Sequence, residues 1–374
     1  MRVLLIRLSA LGDVILTEPV IRALRTLGAT TIDLVTDVRF ASLMARATDV
    51  DRVVGYDFRV QARGLRGVAS VAREIGDVPY DWILDLQNKV RTRLLARRVP
   101  ARHRMVLRKR SLSRAIASLL GSDPPIDDRH ASQIYLDAMA SAGLPVAALA
   151  TSASPAFRPR LRRPETTGLY VSREVDAVRA AGETSEASEA GKAHGVSGQR
   201  LRIGLCPSAT HPTKMWGAPA FGMLASALVA APDLPPISFL AIGGPSDRTT
   251  LDTMRAHATG AVFEVLDVAR LDVEGLASVL ASLDLLVSVD SGPAHLAAAM
   301  DVPTVVLFGP TSFVRWGPLG APHQVVSLAL DCAPCSNTGG ARCPRPDRNH
   351  ACMRDLHPAR VLDAIRAALS GERR

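Results

Sequence analysis

Residues 288–311 read SVDSGPAHLAAAMDVPTVVLFGPT, and their types suit the binding of a phosphate. An apolar segment, LDLLVSVD, runs into Asp290-Ser291-Gly292-Pro293 and then into an alanine-rich helix. A strand that turns on small residues into a helix leaves backbone N–H groups free at the helix start, where the helix dipole is positive. Pro293 fits the first helical turn, because its missing N–H would have had no partner there. His295 projects from the same turn. A second loop, PSATHPTKMW at 207–216, offers Ser208, Thr210, Thr213 and Lys214. One lysine among small hydroxyls suits a pyrophosphate, as a point charge beside hydrogen-bond donors. The alternative is a surface lysine in a turn.

Three further groups could do chemistry. Ser9-Ala10-Leu11-Gly12-Asp13 follows the first apolar strand, and Asp13 is either the cap of the next helix or a general base. Pro19 prefers a first helical turn, which sets the regular helix near Glu18 and leaves Asp13 in the loop. Asp247, in the turn Gly243-Gly244-Pro245-Ser246-Asp247, either caps the following helix or holds a ribose hydroxyl. Cys332, Cys335, Cys343 and Cys352 have the spacing C-x2-C-x7-C-x8-C in loop-like sequence, which permits a four-thiolate structural zinc. Four free thiols or two disulfides are the alternatives, and a cytosolic setting disfavours disulfides.

The elements that must position these groups alternate. Apolar strand patterns at 3–8, 31–37, 81–87, 201–206 and 236–242 are separated by helical patterns such as 13–27, 62–76, 217–231 and 245–258. That alternation predicts parallel βαβ units, hence an α/β fold of two Rossmann-like doubly wound domains facing a central cleft. The expected boundaries are 1–160, a linker at 161–200, 201–356, and a C-terminal helix at 357–374. Residues 174–198 are rich in Ala, Gly, Ser and Glu without an apolar period, and are expected to be a disordered insertion.

Composition bounds the rest. The chain has 374 residues with 47% hydrophobic and 22% charged, enough for two full cores. No run of 18 apolar residues exists, so a membrane-spanning helix is not expected. MRVLLIRLSALGDVIL reads as a first strand and not a signal peptide, which gives a cytoplasmic expectation. The net charge of +9 is concentrated in residues 91–114, which hold ten Arg or Lys and no acid. Such a field favours an anionic partner, although a solvated helix face is an equal reading. No Tyr or Trp interleaves the run, which argues against a stacking nucleic-acid surface and leaves no nucleic acid among the expected partners.

Five segments together resemble the ADP-heptose:lipopolysaccharide heptosyltransferase family, glycosyltransferase family 9. They are MRVLLIRLSALGDVILTEPVIRALR, YDWILDLQNKVRTRLLAR, IGLCPSATHPTKMWGAPAFGMLA, LVSVDSGPAHLAAAMDVPTVVLFGPT and CAPCSNTGGARCPRPDRNHACMRDLHPARVLDAI, in the family's order. The likeness is least over 115–200. The resemblance implies a GT-B fold, with the acceptor in the N-terminal lobe and an ADP-sugar in the C-terminal lobe. It implies inverting transfer of heptose to a lipopolysaccharide inner core, with no cofactor required for catalysis. Asp13 would be the general base and Lys214 the cation steadying the departing diphosphate. Thr210 and Thr213 would meet phosphate. Asp290, Ser291, Gly292 and His295 would surround the donor's phosphates and sugar, and Asp247 the ribose. Arg91, Arg93, Arg97 and Arg98 would then lie in the acceptor lobe, where an anionic glycolipid at the inner membrane face is the partner that explains them. Two alternatives share the fold: a transferase for another nucleotide sugar or glycan acceptor, and a non-catalytic nucleotide-binding protein. An NAD-dependent oxidoreductase is excluded, since G-x-G-x-x-G follows neither strand 3–8 nor strand 201–206.

Overall fold

The computed structural model describes residues 1–57, 64–108, 129–146, 158–164, 200–267 and 271–371. The insertion expected at 174–198 lies outside the described residues. Two compact units emerge: Met1–Arg162 with Val314–Leu319, and Arg163–Phe313 with Gly320–Arg374.

In the first unit the order is β1 (Arg2–Ile6), α1 (Leu11–Ile15), α2 (Glu18–Thr26), β2 (Thr31–Thr36), α3 (Val38–Ala47), β3 (Arg52–Gly55), α4 (Gly64–Ile75), β4 (Tyr80–Asp85), α5 (Val90–Arg98), β5 (Ala101–Val106) and α6 (Ala131–Ser141). The five strands are parallel and run β3-β2-β1-β4-β5 across the sheet. In the second unit come β6 (Leu201–Cys206), α7 (Ala218–Val229), β7 (Ile237–Gly243), α8 (Arg248–Ala256), β8 (Phe263–Asp267), α9 (Val273–Ala281), β9 (Leu285–Val289), α10 (Gly292–Ala299), β10 (Thr304–Phe308), β11 (Gln324–Ser327), α11 (Ala351–Arg354) and α12 (Pro358–Ser370). This sheet is also parallel, ordered β11-β10-β9-β6-β7-β8.

Both sheets wind the same way. The chain starts in the middle, builds outward on one side, then returns to build on the other. The direction of winding reverses between β1 and β4 in one sheet and between β6 and β9 in the other. Ligands of open parallel sheets bind outside the carboxyl ends of the strands at such a reversal. The loop after β1 (7–10) leads into α1 with Asp13, the loop after β4 carries 86–89, and those after β6 and β9 carry 207–217 and 290–291. The topology therefore presents Asp13 in one unit, and Lys214 with Asp290 in the other, at the two reversal points.

The central strands explain why the sheets form. Val3 to Ile6, Leu285 to Val287 and Val289 are wholly buried, as continuous apolar runs must be when both sheet faces are covered. Each such side chain contributes about 1.5–3 kcal/mol by leaving water. In the second unit these strands share one core with Phe221, Leu224 and Leu228 of α7 and with Val361, Ile365 and Ala368 of α12. The closing helix thus packs within its own unit, against α7 and strands β9 to β11.

One local expectation is corrected. The pattern at 13–27 is not one helix: Pro19 is the second residue of α2, which starts at Glu18, and a separate turn, α1, precedes it. Asp13 lies in that turn and not in the loop. Within the basic run, residues 91–106 form most of α5 and all of β5, and residues 109–114 lie outside the described residues. Strand β5 was illegible because it is the outermost strand, with Arg102, His103 and Arg104 all exposed. Arg104 has a structural task, donating from Nε to the carbonyl of Ala96 (2.8 Å) and from Nη2 to that of Val99 (2.7 Å), which satisfies the end of α5.

Candidate functional site

In the first unit the site is built around Asp13. Arg7 interrupts the apolar run of β1 and is buried. Its guanidinium pairs with Asp13 Oδ1 at 2.5 Å, donates to the carbonyl of Leu86, and lies 5.6 Å from the centre of the Tyr135 ring. Burial alone would lower the Arg7 pKa, but Tyr135, Asp13 and Asp85 more than reverse it, so the charge is kept. Asp13 Oδ2 accepts the N–H of Ala10 at 3.1 Å, so the residue caps its own short helix from the third position. Tyr135 donates a long bond of 3.5 Å to Oδ1. Burial pushes the Tyr135 hydroxyl far up, Arg7 opposes and Asp13 reinforces, so it stays a protonated donor. Gln87 stitches the loop to the end of β4: its Oε1 accepts from Leu8 (3.2 Å) and Ser9 (3.3 Å). The carboxylate remains 21% exposed, held from three sides yet open. Capping and chemistry, alternatives in the sequence, are compatible in the fold.

Arg91, Arg93, Arg97 and Arg98 are exposed on α5, and Arg93 Nε donates to Asn88 Oδ1 at 2.6 Å.

In the second unit Lys214 is no surface lysine. It ends a single 3-10 turn, Pro212–Lys214, and its side chain is only 15% exposed. Nζ pairs with Asp290 Oδ2 at 2.8 Å and donates to the Asp290 carbonyl at 3.2 Å. Asp290 is buried, accepts from Thr311 Oγ1 at 2.7 Å, and has His295 Nε2 3.9 Å from its Oδ1. Asp290 therefore orients the lysine; a carboxylate so placed is not itself a phosphate contact. The lysine is carried to the start of α10, whose first turn has Pro293 and no side-chain cap, the Ser291 hydroxyl being 2.9 Å from that of Ser288. Ser208 Oγ is buried without a hydrogen-bond partner. An orphan hydroxyl costs about 1–3 kcal/mol unless a ligand satisfies it. Lysine and uncapped amides with Ser291 and Gly292 at their head are groups that suit an anion.

Two expected residues take other tasks, and a third is exposed. Thr213 Oγ1 donates to the carbonyl of Gly340 (3.0 Å) and accepts the Gly340 N–H (2.8 Å). A hydroxyl has one proton, so Thr213 has none left for a phosphate. Asp247 Oδ2 accepts the N–H of Gly244 at 2.9 Å, which closes its own 3-10 turn, Pro245–Asp247, and gives no side-chain cap to the following helix α8. Thr210 is exposed at the loop tip. The four clustered cysteines are free thiols, and burial followed by their neighbours' charge raises Cys335 and pushes Cys352 up to about 11. Among the described residues no group of three or more His, Cys, Asp or Glu is arranged to hold a metal ion, so the thiols as placed do not fit a tetrahedral zinc.

Cys206, the last residue of β6, lies beside Ser208, Ser288 and Ser291. Burial pushes its thiol up to about 11, against hydrogen bonds from those serines. The unfolded thiol would ionise near its ordinary value of 9.0, so above that pH the unfolded chain binds fewer protons and stability falls. Denaturant titrations should show stability falling between pH 9 and 11, with Cys206 contributing on the order of 3 kcal/mol and Cys352, raised to a similar value, adding its own share. Cys206→Ala should reduce that slope without abolishing it; an unaltered slope would assign the loss to other groups.

Arg7, Gln87, Tyr135, Thr311 and Gly340 were not legible as site residues. Arg7 alone left a trace, as a charge inside an otherwise apolar strand pattern.

The chain can now be set beside known proteins. The model of the family "Glycosyltransferase family 9 (heptosyltransferase)" matches residues 68–341, well over half of the chain. Lipooligosaccharide heptosyltransferase 2 of Campylobacter jejuni is 37% identical over 98 residues, 26% of this chain and 29% of that protein. The chain thus spans under a third of the length of the first curated relatives it matches. Among solved structures, a glycosyl transferase family 9 protein from Veillonella parvula superposes with a TM-score of 0.72, 20% identity, and 99% of this chain on 97% of the other. ADP-heptose lps heptosyltransferase II of E. coli gives 0.68 and 20%, covering 99% of both chains. These likenesses show the fold, the GT-B fold expected from the sequence. With the family model matched from within α4 to beyond β11, the chain belongs to glycosyltransferase family 9 (heptosyltransferase).

Proposed function

We propose that the chain is an inverting glycosyltransferase that moves heptose from ADP-heptose to an acceptor of the lipopolysaccharide inner core. One observation carries the donor half: Lys214, tethered by Asp290 at the uncapped start of α10. Family membership and the name of the E. coli relative support heptose and ADP as the sugar and nucleotide.

In this reading residues 201–356 hold the donor and residues 1–160 the acceptor. Asp13 takes the proton of an acceptor hydroxyl as that oxygen attacks the anomeric carbon. The bond from that carbon to the diphosphate breaks, the configuration inverts, and ADP departs with its extra negative charge. Lys214 and the α10 amides stabilise that charge, where electrostatic preorganisation contributes most. Arg91, Arg93, Arg97 and Arg98 attract the phosphates of a glycolipid acceptor at a membrane face. No helix among the described residues is long and apolar enough to cross a membrane.

A panel of ADP-, UDP- and GDP-sugars screened for thermal stabilisation tests the donor class. Saturating ADP-sugar at about 100 times its dissociation constant should stabilise the fold by about 2.7 kcal/mol. An equal or larger response to a UDP- or GDP-sugar would move the proposal to another nucleotide.

A further inference from the structure

The turn that carries Lys214 cannot set its own geometry. It has two backbone bonds of its own, Lys214 N–H to the His211 carbonyl and Met215 N–H to the Pro212 carbonyl, both 3.0 Å. A 3-10 turn of three residues is too short to persist alone. Its neighbours fix it instead. On one side is Asp290. On the other is the cysteine-bearing loop, more than a hundred residues later in the chain.

That loop engages every polar group of Thr213. The Thr213 N–H donates to the Gly340 carbonyl at 3.3 Å, its hydroxyl makes the two bonds to Gly340 already described, and its carbonyl is met by His350 Nε2. Gly339 has φ +88°, and a Cβ there would stand 2.8 Å from His211 Cβ and 3.0 Å from Lys214 Cγ. The loop backbone therefore lies directly against the lysine stem. The loop is itself anchored just beyond the end of β10: the N–H groups of Cys335 (3.0 Å) and Ser336 (2.8 Å) both donate to the Pro310 carbonyl, and Ser336 forms a parallel bridge with Thr311. Ser336 Oγ accepts the N–H of Gly339 at 2.9 Å. Thr311 in turn donates to Asp290, which holds Lys214. The contacts close a circuit, from Thr311 through Asp290, Lys214, Thr213, Gly340, Gly339 and Ser336 back to Thr311.

We propose that the loop from Ser336 to His350 is a strap that positions Lys214, with Gly339, Gly340 and His350 as positioning residues that act on the donor only through the lysine. The proposal rests on the reading of Lys214 as the cation for the donor's diphosphate. Hydrogen bonds to Thr213 set where the turn lies, and Asp290 sets where Nζ points.

The test is a double-mutant cycle on the full-length protein, read as ADP affinity by calorimetry and as KM for donor and acceptor. Gly339→Ala forces a side chain into a left-handed backbone and against Lys214 Cγ. It should weaken ADP binding and raise the donor KM about tenfold, with the acceptor KM unchanged. In a Lys214→Ala background the same substitution should add less than twofold. Thr213→Val, which removes both side-chain bonds to Gly340, should match Gly339→Ala, and Thr213→Ser should restore binding. It carries the test by itself if the alanine variant does not fold. Wild-type ADP affinity in folded Gly339→Ala or Thr213→Val, or an undiminished loss in the Lys214→Ala background, would overturn the strap. A Lys214→Ala single variant with unchanged ADP affinity is a different result, because it removes the donor reading itself.

Discussion

Asp13→Asn should cut turnover by roughly 10²–10⁴-fold while leaving ADP affinity within about twofold, because in the proposed mechanism it removes the general base and nothing that touches the donor. Asparagine keeps the shape and can still accept the Ala10 N–H, so α1 should retain its cap. It cannot take up a proton. The substitution also removes the ion-pair partner of Arg7, leaving its buried charge with only Asp85, the Tyr135 ring and the Leu86 carbonyl. Breaking a buried pair in this way costs about 3–5 kcal/mol, and the partial exposure of Asp13 puts the expected cost near the lower figure. Thermal melts must therefore accompany the kinetics. A variant that is folded at the assay temperature and still turns over at more than a tenth of the wild-type rate would eliminate Asp13 as the base.

Lys214→Ala should lower kcat/KM for the donor by roughly 10²–10³-fold, the usual cost of losing one preorganised charge stabiliser. Two effects add. The cation is gone, and Asp290 remains as a buried carboxylate with no ammonium beside it. An unpaired carboxylate at the start of α10 repels the diphosphate that the helix amides attract. The double variant Lys214→Ala with Asp290→Asn should therefore recover part of the donor affinity lost in the single variant. Steady-state kinetics with ADP titration checks both statements. Donor kinetics unchanged in Lys214→Ala would place the lysine outside the reaction.

What the sequence disclosed followed from local rules. Strands β1, β6 and β9 were visible as apolar runs, and the loops after them as clusters of small and polar residues, so Asp13, Lys214, Asp290 and Ser291 could be singled out by position alone. Pro19 foretold the break before α2. What stayed hidden depended on distance along the chain. Tyr135 lies 122 residues beyond Asp13, and Gly340 lies 127 beyond Thr213. No spacing rule connects such pairs, because packing in the finished unit decides them. Thr213 was misread for that reason: its residue type suited a phosphate, while its proton goes to a carbonyl that only the folded loop supplies. Strand β5 was hidden differently, since its outward side chains are cations and alternation is faint.

The outermost place of β5 gives its cations a value separate from any ligand. Among the described residues β5 has no partner on its outer side; such a margin offers its backbone to another chain, and exposed charge on it discourages edge-to-edge pairing. Neutralising Arg102 or Arg104 to probe a glycolipid contact would also strip this guard, and in the case of Arg104 would release the end of α5. Charge reversal to glutamate at Arg97 or Arg98, on the helix and not the strand, keeps the margin repulsive and separates solubility from recognition.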